Sequence, residues 1–304
     1  VDIGGTSIEA AVMNLTGELI NKIVFETQPY VGEQLIPLIA DKIKELIQSN
    51  NIEDEQVFGV GLGVPGITNV DDGVVKDAPS IGWKDVPLKS QLEELLPYPV
   101  YIDNDVNVAA LGEQWKGSGE NDQNFLMITL GTGIGCGVIL NGQLYRGHTY
   151  AAGEIGYMVT DKETAEKKYD YTFKGYGFLD NHVGGPSITR RMISYLNETD
   201  GKEWSAKKVF QMAKNKDETA LEVLKEPLSH LSFALINAVS LLNPERIVLG
   251  GGMSKSMNQF LPYLSASIEK HIPIETKVEI TNVRDVSLLG AGYLLLKEHE
   301  SILK

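Results

Sequence analysis

Cysteine is all but missing. Cys136 is the one thiol in 304 residues, so neither an internal disulfide nor a cysteine-built zinc site can form, and a reducing cytosol suits such a chain. Histidine is scarce too. None of the five falls in a His-x3-His or His-Glu-x2-His spacing, so His148 and His182 read as surface or packing residues rather than ligands. No apolar run approaches the ~18 residues of a membrane span. No basic stretch followed by an apolar core opens the chain, so no signal peptide is visible. Positive charge is in deficit, with 27 basic against 41 acidic side chains and a net charge of −14. That surface repels a phosphate backbone, which argues against a nucleic-acid partner unless a local patch offsets it. It leaves room for an anionic nucleotide held by backbone N–H groups. There is no Gly-x-Ser-x-Gly elbow and no Pro-rich or low-complexity linker.

What is present is a globular composition, 42% hydrophobic with 31 glycines, which excludes disorder, collagen and coiled coil. The length allows one large domain or two ordinary ones. Val1-Asp2-Ile3 stands directly before Gly-Gly and reads as the end of a strand whose beginning lies upstream. A second strand follows to Asn14, and a third is expected over Leu19 to Thr27. Residues 33–49 carry Leu35, Ile36, Ile39, Ile43, Leu46 and Ile47, the apolar stripe of a helix. Val57 to Gly63 reads as a strand stopped by Val64-Pro65-Gly66. A strand is expected over Val100 to Asp103 and a helix over Asn107 to Lys116. Phe125 to Thr129 begins the pattern again: strand, glycine turn, then a strand over Val138 to Leu140. Asn141-Gly142 signals a type I′ hairpin. Leu231 to Leu242 is helical, and Arg246 to Leu249 is a strand running into Gly250-Gly251-Gly252. Two strand–turn–strand units suggest a duplicated architecture with a cleft between its halves, packed together and hinged.

Five short motifs could carry chemistry. In Asp2-Ile3-Gly4-Gly5-Thr6, glycines let backbone N–H groups approach phosphate oxygens, and the Thr hydroxyl adds a donor. Asp2, ending the strand before them, could hold Mg²⁺. A plain tight hairpin is the alternative. Gly131-Thr132-Gly133-Ile134-Gly135 offers the same chemistry in the second half. No Gly-Lys-Ser/Thr follows, so it is not a P-loop; a strand follows rather than a helix, so it is not a dinucleotide fingerprint. Asp103-Asn104-Asp105-Val106-Asn107 lies between a strand and a helix, where a carboxylate could take a proton from a substrate hydroxyl. An N-cap with extra polar residues is the alternative, and Asp103 or Asp105 could be just that. Glu154, between Gly153 and Ile155-Gly156, is either a polar anchor in a pocket or a surface-loop residue. Gly250 to Gly252 suits close approach of backbone to a flat ring or an α-phosphate, or is a flexible loop. Cys136, inside the second glycine turn, reads as a small buried residue.

Asp-Ile-Gly-Gly-Thr, Asn-Asp-x-Asn with Ala-Ala-Leu-Gly-Glu, Gly-Thr-Gly-Ile-Gly, Ala-Gly-Glu-Ile-Gly and Leu-Gly-Gly-Gly occur here in that order. Together they resemble a sugar kinase of the ROK family (repressor, ORF, kinase). The resemblance covers nearly the whole chain. It implies an α/β, two-lobe actin/hexokinase-like ATPase fold, with duplicated ribonuclease H-like lobes and an interlobe cleft. The expected lobes are residues 1–108, joined by a returning C-terminal helix over 290–304, and residues 109–289. It implies ATP and Mg²⁺, with Asp2 (reaching Mg²⁺ through ATP), Gly4, Gly5 and Thr6 in the first phosphate loop. Gly131, Thr132 and Gly133 match the second loop, and Gly250, Gly251 and Gly252 an adenosine motif. Asp105 matches the general base that deprotonates a sugar hydroxyl, usually the 6-OH. Gly66, Ser80, Asn104, Asp105, Glu154, Tyr157 and Asp180 fall where the sugar is held. A sugar and ATP are then the partners, a homodimer is expected, and neither nucleic acid nor membrane is.

The chain departs from the family in one region. Many members carry Glu-x-Gly-His and Cys-x-Cys-Gly-x-x-Gly-Cys-x-Glu, which bind a structural zinc. Here Tyr157 replaces the His, and Tyr171, Phe173 and Phe178 replace the three Cys, so no zinc is expected. Each ring can bury ~150–250 Å², and an aromatic cluster is expected in the metal's place. Asp180 matches the motif's last Glu, and Ser80 stands where many members have Asn. The lost His often also touches the sugar, so its replacement bears on which sugar is taken. Glucose, N-acetylmannosamine and a β-glucoside are the expected candidates; a sugar-responsive repressor or a catalytically silent sensor is the alternative.

Overall fold

The computed structural model describes residues 1–27, 32, 34–168, 177–197 and 203–299. The chain divides into two compact units. The first comprises Val1–Asn121, Leu144–Ala152 and Val283–Lys304, the second Asp122–Gln143 and Gly153–Asn282.

The first unit holds strands β1 (Asp2–Ile3), β2 (Ser7–Met13), β3 (Leu19–Glu26), β4 (Val60–Val64), β5 (Ile67–Asn69), β6 (Val74–Ala78), β7 (Trp83–Val86) and β8 (Val100–Asn104). Its main sheet has the order β3-β2-β1-β4-β8, and β5-β6-β7 form a small antiparallel sheet. β1, β2 and β3 pair antiparallel, while β1, β4 and β8 run parallel. The parallel strands therefore end together, with Asp2 opposite Gly63 and Gly63 opposite Asp103. The expected helix forms over Leu35–Ser49, and all six apolar stripe residues are buried. All but Leu46 pack with Ile3, Ile8, Leu62, Ile102 and Trp83 in one core. Helices Asp105–Lys116 and Val286–Glu298 cross in contact, and only glycine permits it. A Cβ on Gly290 would stand 1.5 Å from the Val108 carbonyl oxygen. An apolar slot of about 380 Å³, lined by Ala10, Val12, Ile43, Val60 and Leu295 among others, borders β2 and β4.

The second unit holds β9 (Phe125–Leu130), β10 (Ile134–Leu140), the first residue of β11 (Gln143–Leu144), β12 (Arg246–Gly250) and β13 (Lys277–Ile280). Their order is β11-β10-β9-β12-β13, with β9 and β10 antiparallel and β9, β12 and β13 parallel. β10 starts at Ile134, four residues before the expected Val138, because Gly135 and Gly137 sit in the ladder opposite Thr129 and Met127. Asn141 and Gly142 both take positive φ, 52° and 72°, as a type I′ hairpin requires. The apolar stretch Leu231 to Leu242 is the second half of a 25-residue helix, Glu218–Leu242, capped by Asp217 and carrying Pro227 inside it. Leu126, Ile128, Leu231, Leu235 and Ile247 belong to a second core, separate from the first. Among the described residues no helix is long and apolar enough to cross a membrane.

Candidate functional site

The first unit gathers three acids at the ends of its parallel strands. Asp2 lies on β1; burial, with like charge from Glu9, pushes its carboxyl up to about 6. Asp105 opens the helix Asp105–Lys116, and its carboxylate accepts from the Val106 N–H at 2.9 Å. What joins them is Gly63 on β4. A Cβ there would stand 3.4 Å from Asp2 Oδ1, 3.4 Å from the Asp105 Cα and 2.5 Å from Val108 Cγ2. A glycine is needed at that close approach.

The acidic motif divides its labour. The N-cap is Asn104, whose Oδ1 accepts from the Val106 and Asn107 N–H groups at 2.9 and 3.1 Å. Its Nδ2 donates to the Gly66 carbonyl at 2.8 Å, so much of the side chain expected to hold sugar already serves the fold. Asp103 is buried. Its Oδ1 accepts from the Asn104 N–H and Asn107 Nδ2, and its Oδ2 from Arg146 Nε at 2.8 Å and Nη2 at 2.7 Å. Such a saturated carboxylate is a fastener, which separates Asp103 from Asp105.

The Gly4-Gly5-Thr6 turn is braced from one residue that sequence reading passes over. Thr27 donates its N–H to the Thr6 carbonyl at 2.9 Å and its hydroxyl to the Gly4 carbonyl at 2.7 Å. Gly5 and Thr6 are exposed, and exposed Ser80 faces Gly5: a Cβ on Gly5 would meet the Ser80 Cβ at 3.4 Å. The structure thus brings Ser80 to the first glycine turn.

In the second unit the two glycine motifs meet at Leu130. Gly251 has φ +81°, and a Cβ on it would stand 2.6 Å from the Leu130 carbonyl oxygen; Met253 donates its N–H to that same oxygen at 3.0 Å. Gly131, next along the chain, and Gly252 have open space where a Cβ would sit. At Gly131 and Gly252 the backbone is therefore free of side-chain cover, as close approach of a ligand requires. The Gly131 carbonyl accepts from Gly185, the first residue of helix Gly185–Leu196.

Asp180 organises the rest. It accepts from the Ile134 N–H at 2.7 Å and the Gly177 N–H at 3.0 Å, so it clamps the second phosphate-type turn to the next loop. Burial raises its carboxyl above the usual range against those two donors. Glu154 is raised as well, by burial first and by the Asp180 charge second. Gly156 lies against Asp180, while Tyr157 is 50% exposed. Cys136 is buried, and burial pushes its thiol up to about 12, leaving it a small inert residue. Of the expected aromatic cluster, Tyr171 and Phe173 lie outside the described residues. Phe178 is fully buried, stacked on His182 at 4.4 Å and edge-on to His230 at 6.0 Å.

A family model described as the ROK family matches residues 1–296. The chain belongs to the ROK family. It is 34% identical to a glucokinase of Halalkalibacterium halodurans, across 100% of this chain and 96% of that one. It is 29% identical to a putative xylose repressor of Caldicellulosiruptor sp., across 98% of this chain and 77% of the repressor. It superposes with a TM-score of 0.79, at 26% identity, on a ROK family glucokinase from Streptomyces griseus in complex with glucose and AMPPNP, covering 96% and 97% of the two chains. The fold is the mixed α/β, two-lobe actin/hexokinase-like one of ROK sugar kinases. Relatives of this ROK chain include both kinases and repressors.

Sequence reading missed Thr27, Gly63 and Arg146 in this ROK site. Each acts through a partner remote in sequence, and only the glycine spacing of Val60-Gly61-Leu62-Gly63 hinted at a close approach.

Proposed function

We propose that the chain is an ATP-dependent sugar kinase that transfers the γ-phosphoryl group to the 6-hydroxyl of a hexose-type sugar: glucose, N-acetylmannosamine or a β-glucoside. The observation that carries this reading is Asp105, a carboxylate at a helix start beside Asp2, across the gap that Gly63 leaves. A silent sensor needs no such base.

On this reading Asp105 accepts the proton of the sugar 6-OH. The oxygen then bonds to the γ-phosphorus, the bond from that phosphorus to the β,γ-bridging oxygen breaks, and ADP leaves. Asn104, Gly66, Glu154, Tyr157 and Asp180 hold the sugar, with Ser80 beside the first turn. Gly4 to Thr6 and Gly131 to Gly133 bind phosphates through backbone N–H groups, and Gly250 to Gly252 lie against the nucleoside. Asp2 fits a divalent cation, because burial withdraws its carboxylate from water and outweighs the charge of the Val1 amino group; Mg²⁺ there would offset phosphate charge. The reading requires both units to act on one sugar and one ATP, and a homodimer is part of it.

The test is ADP release with Mg²⁺ across glucose, N-acetylmannosamine, N-acetylglucosamine, mannose and cellobiose. Turnover with one of them names the substrate. ATP binding without turnover on any sugar moves the reading to a sugar-responsive regulator, which the similarity to a putative xylose repressor favours.

A further inference from the structure

The second unit contains a side-chain cluster that the kinase reading does not use. We propose that His182, Glu226 and His230 form a binding site for one divalent transition-metal cation of the zinc or cobalt class. One nitrogen from each imidazole and one Glu226 oxygen all lie within 4.8 Å of one another. Glu226 and His230 are one turn apart on the helix Glu218–Leu242, so they share a face. His182 comes from the short helix Asp180–Val183. None of the three is a position of the cysteine motif that this chain lacks; Phe178, at the place of its last cysteine, packs on His182 instead.

The hydrogen bonds around the cluster orient it for ligation. His182 Nδ1 lies 2.7 Å from the Phe178 carbonyl oxygen. A carbonyl only accepts, so Nδ1 carries a proton, and in the neutral ring Nε2 presents the lone pair. His230 Nδ1 is engaged by the Thr160 hydroxyl at 2.6 Å, and its Nε2 lies 3.6 Å from Glu226 Oε1. Metal-binding histidines are held by their second nitrogen in this manner. Arg191 grips both Glu226 oxygens at 2.5 and 2.6 Å, which fixes the carboxylate and tempers the affinity by its positive charge. Two imidazoles and a carboxylate suit Zn²⁺ or Co²⁺ rather than Mg²⁺ or Ca²⁺. Bonds of about 2.0–2.1 Å put tetrahedral donor atoms about 3.3 Å apart, so small side-chain rotations close the site. Glu226 is exposed, so a water can complete the coordination. A bound ion would tie the helix that carries Asp180 to the long helix, and so stiffen the clamp on Ile134 and Gly177.

The test uses the full chain without a polyhistidine tag, stripped by chelator and free of nucleotide. Co²⁺ is titrated and read by its visible absorption, then displaced with Zn²⁺; melting temperature is measured with and without Zn²⁺. One equivalent of Co²⁺, displaced by Zn²⁺, and a raised melting temperature are expected. His182→Gln and Glu226→Gln should each weaken Co²⁺ binding roughly tenfold or more, while His271→Gln, an exposed histidine elsewhere, should not. His182 and Glu226 are not fully buried, so these variants remain informative if His230→Gln fails to fold. No Co²⁺ signal in the unsubstituted chain, or an undiminished signal in folded His182→Gln, overturns the proposal.

Discussion

The two units share a sheet order, β3-β2-β1-β4-β8 in the first and β11-β10-β9-β12-β13 in the second, yet they place their acids differently. In the first, Asp2 pairs opposite Gly63. At the corresponding register of the second, Thr129 pairs opposite Gly250. The glycine recurs, and the acid does not. The first unit carries its carboxylates at strand ends, in Asp2, Asp103 and Asp105. The second draws Glu154 and Asp180 from connecting segments. Topology sets where a backbone can approach a ligand, and single residues at the strand ends decide what chemistry happens there.

The strongest break in this comparison is Asp105→Asn. It should lower kcat about a thousandfold while sugar affinity, measured by calorimetry, stays within a few-fold. Near-normal turnover would sink the assigned base. The matching change in the second unit, Glu154→Gln, should raise the KM for sugar and change kcat less.

Next come the glycines of the second unit. Gly251→Ala meets both a positive φ and the Leu130 oxygen, and should cost roughly 2–3 kcal/mol in urea unfolding. Gly252→Ala, facing open space, should cost well under ~1 kcal/mol. Equal costs would refute the close packing of that turn on β9.

One group in each unit, His230 and Asp2, should also answer pH in opposite senses. His230 falls from 6.5 to about 4, through burial first and the neighbouring His182 second. The unfolded chain then binds more protons between those values, so this contribution is complete above 6.5 and lost as pH falls toward 4. Asp2 rises from 3.8 to about 6. Its contribution is complete below 3.8 and lost as pH rises through about 6. Each amounts to on the order of 3 kcal/mol. Peptide-resolved hydrogen exchange between pH 4 and 7 should show the second unit loosening at the acid end, and His230→Gln should flatten that response. The smallest effect is expected at half-exposed Tyr157: Tyr157→Phe should change stability by under ~0.5 kcal/mol, so any larger effect on the KM for sugar reports contact with substrate.

Much of the fold was legible because its signals are local. The stripe from Leu35 to Ile47, the Asn141-Gly142 hairpin and the glycine turns after Ile3 and Leu130 each specify their own backbone. The helix Gly185–Leu196 and the first half of Glu218–Leu242 were not legible, since their apolar residues are diluted by charge and Pro227 interrupts the run. Reading Asp103 and Asp105 as equivalent candidates was unavoidable from spacing. Their roles part only where Arg146, 43 residues away, closes on Asp103.

From the sequence alone came the ROK resemblance, the strand–turn–strand repeat and the identity of the candidate base, because these rest on residues adjacent in the chain. Tertiary structure alone decided that Gly63 opens the space between Asp2 and Asp105, that Leu130 joins two glycine turns, and that His182 meets His230 and Glu226. Those outcomes depend on strand register and helix packing, in which residues far apart in sequence are brought within a few ångströms by burial of the cores beneath them.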